Sequence, residues 1–231
     1  MPDSSFYFTT LYPFQDDVLL LVREAGTGFY LTGGTALSRG YLSHRFSDDL
    51  DLFVNFDSRF REWSERVVDT FWRTGDWSTD VILREEYFVR AVLTRGELRL
   101  KVEMVNDVAS RVGDITEHPV LGRLDSPGNI LANKLTALIG REEPRDVADV
   151  WGLCTKLKLS INEAIRGAQS KSSGIYPLDL ARRLCGATNE DWEAVLWIEP
   201  APDPSQFIAD LRAIGESLIL PAGFPELPAS E

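Results

Sequence analysis

The chain has 231 residues, 44% of them hydrophobic and 26% charged, with a formal net charge of −12. That length buries a core in one large domain or two small ones, and no run of about 18 apolar residues marks a membrane span. Cys154 and Cys185 are too few and too far apart for a disulfide scaffold or a zinc site. The start "MPDSSFYFTT" lacks the basic-then-apolar layout of a secretory signal, so a soluble protein of a reducing, cytoplasmic compartment is expected. The negative charge is uneven: Gly186–Glu231 holds nine acidic residues and one basic, whereas residues 1–185 hold 27 and 23. A basic groove in the first part therefore stays compatible with a nucleic-acid partner, because binding follows local charge.

Residues 12–26 have Phe14, Val18, Leu21 and Val22 on one helical face. "GFYLTGG" reads as a short strand ending in a turn, and "TALSRGYL" as a helix with Thr35 as its N-cap. "LDLFVNF" is a strand, and residues 58–74 place Phe60, Trp63, Val67 and Phe71 at helical spacing. "DVILREE", "YFVRAVLT" and "ELRLKVEMV" are three strand-like runs with alternation and short connections. After "SPGN" the pattern turns helical, with "ILANKLTALIG", "PRDVADVWGLCTK", "SINEAIRGAQ", "LDLARRLCG" and "PSQFIADLRAIGESL". Six of the twelve prolines lie between Pro200 and Pro228, giving rigid loops around the last helix. The expected organisation is a mixed α/β sheet domain over residues 1–127 and a helical domain over 128–231, with the active site between them.

The chemistry gathers around "RFSDDLDLF". Strand residues two apart share a face, so Asp49 and Asp51 point together while Leu50 and Leu52 point into a core. Two such carboxylates can hold a pair of divalent ions about 3.5–4 Å apart, and magnesium suits a site of a few carboxylates, water and substrate oxygens. The competing reading is a turn leading into a strand; it accounts well for Asp48 and poorly for Asp51, since Asp is disfavoured inside strands. Glu103 shares with Arg99 and Lys101 the polar face of "LRLKVEMV", where it either reaches a cleft as a third carboxylate or faces solvent. Gly33 and Gly34 allow backbone to approach a phosphate closely, although the lysine of a Walker loop is missing. Arg39 and Arg45 flank this stretch, as phosphate contacts or as surface charges.

Lys134 lies on the stripe of Leu131, Leu135 and Leu138. There it either snorkels to water or meets an anion. Pro144 opens the next helix, and Asp146 falls in its first turn, where a carboxylate favours the helix dipole. Asp146 also borders the inward Val150 and Leu153 and is in reach of Lys134, whereas Asp149 is expected to point outward. His44 and His118 are isolated.

In this order the motifs resemble the AbiEii-type nucleotidyltransferases, the toxin family that includes the MenT toxins, within the polymerase-β-like superfamily. The resemblance covers roughly residues 30–155. It rests on "GGTALS", on Ser47, Asp49 and Asp51 as a Ser-x-Asp-x-Asp pattern, on "LKVEMV" with Glu103 where Asp is commoner, and on Lys134 followed by Arg145, Asp146 and Asp149. It implies a polymerase-β-like fold and Mg²⁺-dependent transfer of a nucleoside monophosphate from an NTP. In relatives the acceptor can be the 3′ end of tRNA, and a neighbouring antitoxin is the partner. It also implies Asp49, Asp51 and Glu103 as metal ligands, and Gly33, Gly34, Thr35, Arg45 and Ser47 around the phosphates. Lys134 would neutralise the triphosphate and Asp146 would join the catalytic group. An acceptor that is a protein or a small molecule, and a catalytically silent nucleotide-binding module, remain open readings of the same residues.

Overall fold

A computed structural model describes residues 4–74 and 76–219; the proline-rich segment from residue 220 onward and the first three residues lie outside the described residues. The chain divides into two compact units, residues 1–130 with 196–201, and residues 131–195 with 202–231.

The first unit opens with a helical run of α1 (Ser4–Phe6), a π-helical turn (Tyr7–Leu11) and α2 (Tyr12–Glu24). Phe14, Val18, Leu21 and Val22 are all buried, as their helical spacing predicts. Then come β1 (Tyr30–Thr32), α3 (Gly33–Leu37), a second π-helical turn (Ser38–Leu42), β2 (Leu50–Asn55) and α4 (Phe60–Thr74). Next are β3 (Ser78–Arg84), β4 (Phe88–Arg95), β5 (Leu98–Asp107), β6 (Thr116–His118) and β7 (Gly122–Leu124). The seven strands among the described residues form one mixed sheet in the order β3-β4-β5-β2-β1-β7-β6.

Alternation decides which face is covered. Leu50, Leu52 and Val54 of β2, Val89, Ala91 and Leu93 of β4, and Leu100, Val102 and Met104 of β5 are all buried. Leu19 and Val22 of α2 line a small cavity together with Leu31 and Leu52, which puts α2 on this apolar face. Next to it packs α4, with Phe60, Trp63, Val67 and Phe71 buried. The opposite face carries Asp51, Glu103, Lys101 and Arg90, all partly exposed.

The pairing across that polar face is specific. Asp51 is the antiparallel partner of Thr32 and the parallel partner of Glu103, and Glu103 is the antiparallel partner of Arg90. One row therefore runs Thr32, Asp51, Glu103, Arg90 across four strands. The returning segment 196–201 adds backbone bonds from Phe46 N to the Leu196 carbonyl and from Ile198 N to the His44 carbonyl, pinning the loop ahead of β2.

The second unit is helical. The division falls inside α5 (Pro127–Gly140); after it come α6 (Pro144–Thr155), α7 (Ile161–Lys171), α8 (Pro177–Cys185), α9 (Asn189–Glu193) and α10 (Pro204–Glu216). Trp151 of α6 packs edge-to-face on Phe207 of α10 at 5.6 Å between ring centroids, and its indole N–H donates to Asp210 at 2.8 Å. No helix among the described residues is long and apolar enough to cross a membrane.

Candidate active site

The turn from β1 into α3 is built around Asp51. Gly33 has φ of +67°, a conformation open to glycine, and a Cβ placed on it would lie 2.1 Å from Asp51 Oδ2. A Cβ on Gly34 would lie 2.5 Å from Arg45 Nη2 and 2.9 Å from Ser47 Oγ. The glycine pair is thus the seat on which the carboxylate, the guanidinium and the hydroxyl rest. Of Gly33, Gly34, Thr35, Arg45 and Ser47, only Gly33 is not buried.

Thr35 is not the helix cap. The N-cap is Thr32, whose own hydroxyl donates to Asp125 Oδ2 at 2.7 Å. Thr35 lies inside the helix, where its hydroxyl bonds Ser47 Oγ at 2.9 Å and the Asp49 carbonyl. The physical reason is that Gly33, at positive φ, lets the chain enter the helix three residues earlier than the polar-residue pattern suggests. Arg45 is buried and donates to the Phe46 carbonyl at 2.8 Å, while Arg39 pairs with Asp16 and lies 4.5 Å from the centre of the Tyr12 ring.

Gln15 fixes the loop from the side. Fully buried, it donates from Nε2 to the carbonyls of Ser47 and Asp48, both at 3.1 Å, and its own oxygen accepts from Arg39 at 3.0 Å. Asp125, also fully buried, accepts from Thr32, from Asn129 at 2.8 Å and from Arg111 at 3.1 Å. Neither residue stands out in the sequence, because Gln15 sits among core positions of α2 and Asp125 sits in a "DSPG" turn.

The carboxylates on the polar face are met by cations. Lys101 Nζ lies 2.9 Å from Asp49 Oδ2 and 3.3 Å from Glu103 Oε1. Arg90 reaches the same Glu103 oxygen at 2.8 Å. Glu103 therefore does not project alone into a cleft; it stands between two basic side chains. Burial pulls the Lys101 ammonium toward neutrality, but its hydrogen bond to Asp49 and the charges of Asp49 and Glu103 outweigh that and hold its pKa above the ordinary value. Lys101 was legible, since it alternates with Glu103. Arg90 was not, because its place opposite Glu103 depends on register between strands.

The donor set fits a hard divalent ion. Among the described residues no three His, Cys, Asp or Glu side chains converge as a ready-made metal cluster. Asp49 and Asp51 supply two oxygen donors, and magnesium takes one or two carboxylates and completes its shell with water and substrate phosphate.

In the second unit Lys134 is buried between two carboxylates, 2.7 Å from Asp146 Oδ1 and 2.7 Å from Asp149 Oδ2. Arg141 Nε holds the other Asp146 oxygen at 2.7 Å. Both aspartates are fully buried, so Asp149 points inward, contrary to expectation; the ammonium on the apolar stripe draws both acids in. Arg145 stays at the surface beside Glu143, at 3.7 Å.

A family profile described as nucleotidyl transferase AbiEii toxin, type IV toxin–antitoxin system, matches residues 19–209. The chain belongs to the AbiEii family. It is accordingly a nucleotidyltransferase toxin, and membership implies an NTP substrate and an antitoxin partner. The AbiEii fold recurs in solved structures. MenT4, a nucleotidyltransferase toxin from Mycobacterium tuberculosis H37Rv, superposes with a TM-score of 0.66 at 18% identity, covering 92% of this chain and 84% of its own. JHP933 from Helicobacter pylori gives a TM-score of 0.61 at 17% identity, covering 89% of each chain. The comparison with curated proteins returned no match.

Two outcomes follow for this AbiEii chain. Burial alone would raise the Asp146 pKa, but the Lys134 and Arg141 charges and hydrogen bonds hold it below the ordinary 3.8. Its stabilisation is therefore complete above that unfolded value and drains away as pH falls through the lower folded one. Asp146→Asn should lower unfolding stability at pH 7 by about 3–5 kcal/mol, the cost of stripping one partner from a buried pair. Urea unfolding curves of the two proteins should stay apart down to the ordinary carboxylate value and converge only at more acidic pH, as wild-type Asp146 is itself protonated in the folded state. Gly33→Ala should cost more than about 1 kcal/mol, since alanine is strained at positive φ, and should displace Asp51, read as lost metal-dependent nucleotide binding in calorimetry.

Proposed function

We propose that the chain transfers a nucleoside monophosphate from an NTP to the 3′ end of an RNA acceptor of the tRNA class, with Asp49 and Asp51 as the Mg²⁺ ligands. The observation that carries this reading is the seating of the Asp51 carboxylate on Gly33, which joins an acidic strand end to an accessible glycine backbone. Magnesium, when bound, supplies Lewis-acid stabilisation of the transferring phosphoryl oxygens. The chain's own residues do the positioning. Gly33 lets the triphosphate come close to backbone, and Thr35, Ser47 and Gln15 hold the Asp49 loop rigid behind it.

Glu103, anchored by Arg90, serves as third ligand or as base for the acceptor hydroxyl. In the second unit Lys134 is held by Asp146 and Asp149, and Asp146 is also held by Arg141. Such sites act by positioning and charge rather than by covalent chemistry. A polyanionic acceptor is favoured by Arg90, Arg99 and Lys101, which stand together on the open face of β4 and β5 in a protein that is acidic elsewhere.

Labelled NTPs and Mg²⁺, offered together with total RNA and protein lysate, test the proposal. Label is expected in tRNA-sized RNA, and Asp49→Ala is expected to abolish transfer while its unfolding transition stays cooperative. Label confined to the protein pool overturns the acceptor assignment, and undiminished transfer by Asp49→Ala overturns the metal assignment.

A further inference from the structure

Asp49, just ahead of β2, and Glu103 of β5 share one cation among the described residues, the Lys101 ammonium, at 2.9 Å and 3.3 Å. The two carboxylates differ in what else they have. Glu103 also has Arg90 at 2.8 Å. For Asp49, Lys101 is the ion-pair partner among the described residues. Lys101 therefore neutralises the very oxygen that a divalent ion at Asp49 would require. A lysine is suited to leaving: its ammonium is a point charge on a flexible stem, free of the planar two-point grip of an arginine. Its side chain is a third exposed, so it is not locked in the core.

We propose that Lys101 is a charge gate on the carboxylate site. In the nucleotide-free chain it occupies Asp49 and weakens divalent-ion binding. An incoming triphosphate offers Lys101 a stronger anionic partner, Asp49 is released, and metal and nucleotide load together. This rests on the reading of Asp49 and Asp51 as metal ligands and adds what controls their occupancy. Because linkage is reciprocal, metal raises nucleotide affinity by the same factor as nucleotide raises metal affinity. Lys101 acts through Asp49, so it is a positioning residue whose signature is binding coupling rather than loss of turnover.

The test is calorimetry with Mn²⁺ alone, and then with α,β-non-cleavable analogues of the four NTPs, on the full chain. Wild type should bind Mn²⁺ weakly without nucleotide. Lys101→Met should bind it about tenfold more tightly or better, as expected when one positive charge stops competing for the carboxylate. Its nucleotide-induced gain in Mn²⁺ affinity should shrink by the same factor. Lys101→Arg, which keeps the charge, should show no such gain in Mn²⁺ affinity, and adding Asp49→Asn to Lys101→Met should remove the gain. Lys101→Gln serves as a second neutral variant, and thermal unfolding establishes that each variant is folded.

A folded Lys101→Met that binds Mn²⁺ no more tightly than wild type overturns the gate. So does a gain that appears in Lys101→Arg or survives Asp49→Asn. The metal reading itself stands in those cases if wild type binds an analogue only with Mn²⁺ and Asp51→Asn does not. If neither wild type nor Lys101→Met binds any analogue in a Mn²⁺-dependent way, the metal reading and the gate fall together.

Discussion

β2 and β5 run parallel with Asp51 opposite Glu103 and Leu50 opposite Val102, and everything on the polar face depends on that register. Side chains alternate with a period of two, so a slip of one residue would send Asp51 into the core and Leu52 into water. The apolar residues make the slip expensive. Leu50, Leu52, Val102 and Met104 are all essentially inaccessible, and exposing such side chains costs about 1.5–3 kcal/mol each. The core thus sets the position of the acids. Its energy is spent on the covered face, and the open face can carry charges that contribute little to stability.

Charge balance is the second constraint. The chain carries a formal −12, yet several of its partly or fully buried acids stand beside cations. In the first unit Lys101 holds Asp49, and Arg90 with Lys101 holds Glu103; within the second unit Lys134 and Arg141 hold Asp146. Burying unpaired carboxylates would be costly, so a folded substrate-free protein needs these partners. A phosphate-binding protein needs cations too, and one lysine can meet both demands by changing partner.

Much of the frame was legible. Alternation located β2, β4 and β5, and helical spacing located α2, α4 and the helices from α5 onward, because these segments are long enough for a period to repeat. β6 and β7, at three residues each, and α9, at five, are too short to show one and went unread. The sequence boundary at residue 127 marks where the pattern changes. The compact units divide a few residues later and recover 196–201 for the first unit, because backbone bonds to His44 and Phe46 tie that segment to the loop ahead of β2.

The sequence by itself determined which residue types gather as candidates: aspartates at the start of a strand, a glycine pair where a strand gives way to a helix, and a lysine on an apolar stripe. Local periodicity is enough for that, since it fixes which neighbours share a face. Only the tertiary structure decided their partners. Asp51 rests on Gly33, Lys101 takes Asp49 together with Glu103, Gln15 braces the loop, and Asp149 turns inward to Lys134. Those contacts depend on strand register and on where burial leaves a charge needing a partner, and neither is a property of any single stretch of chain.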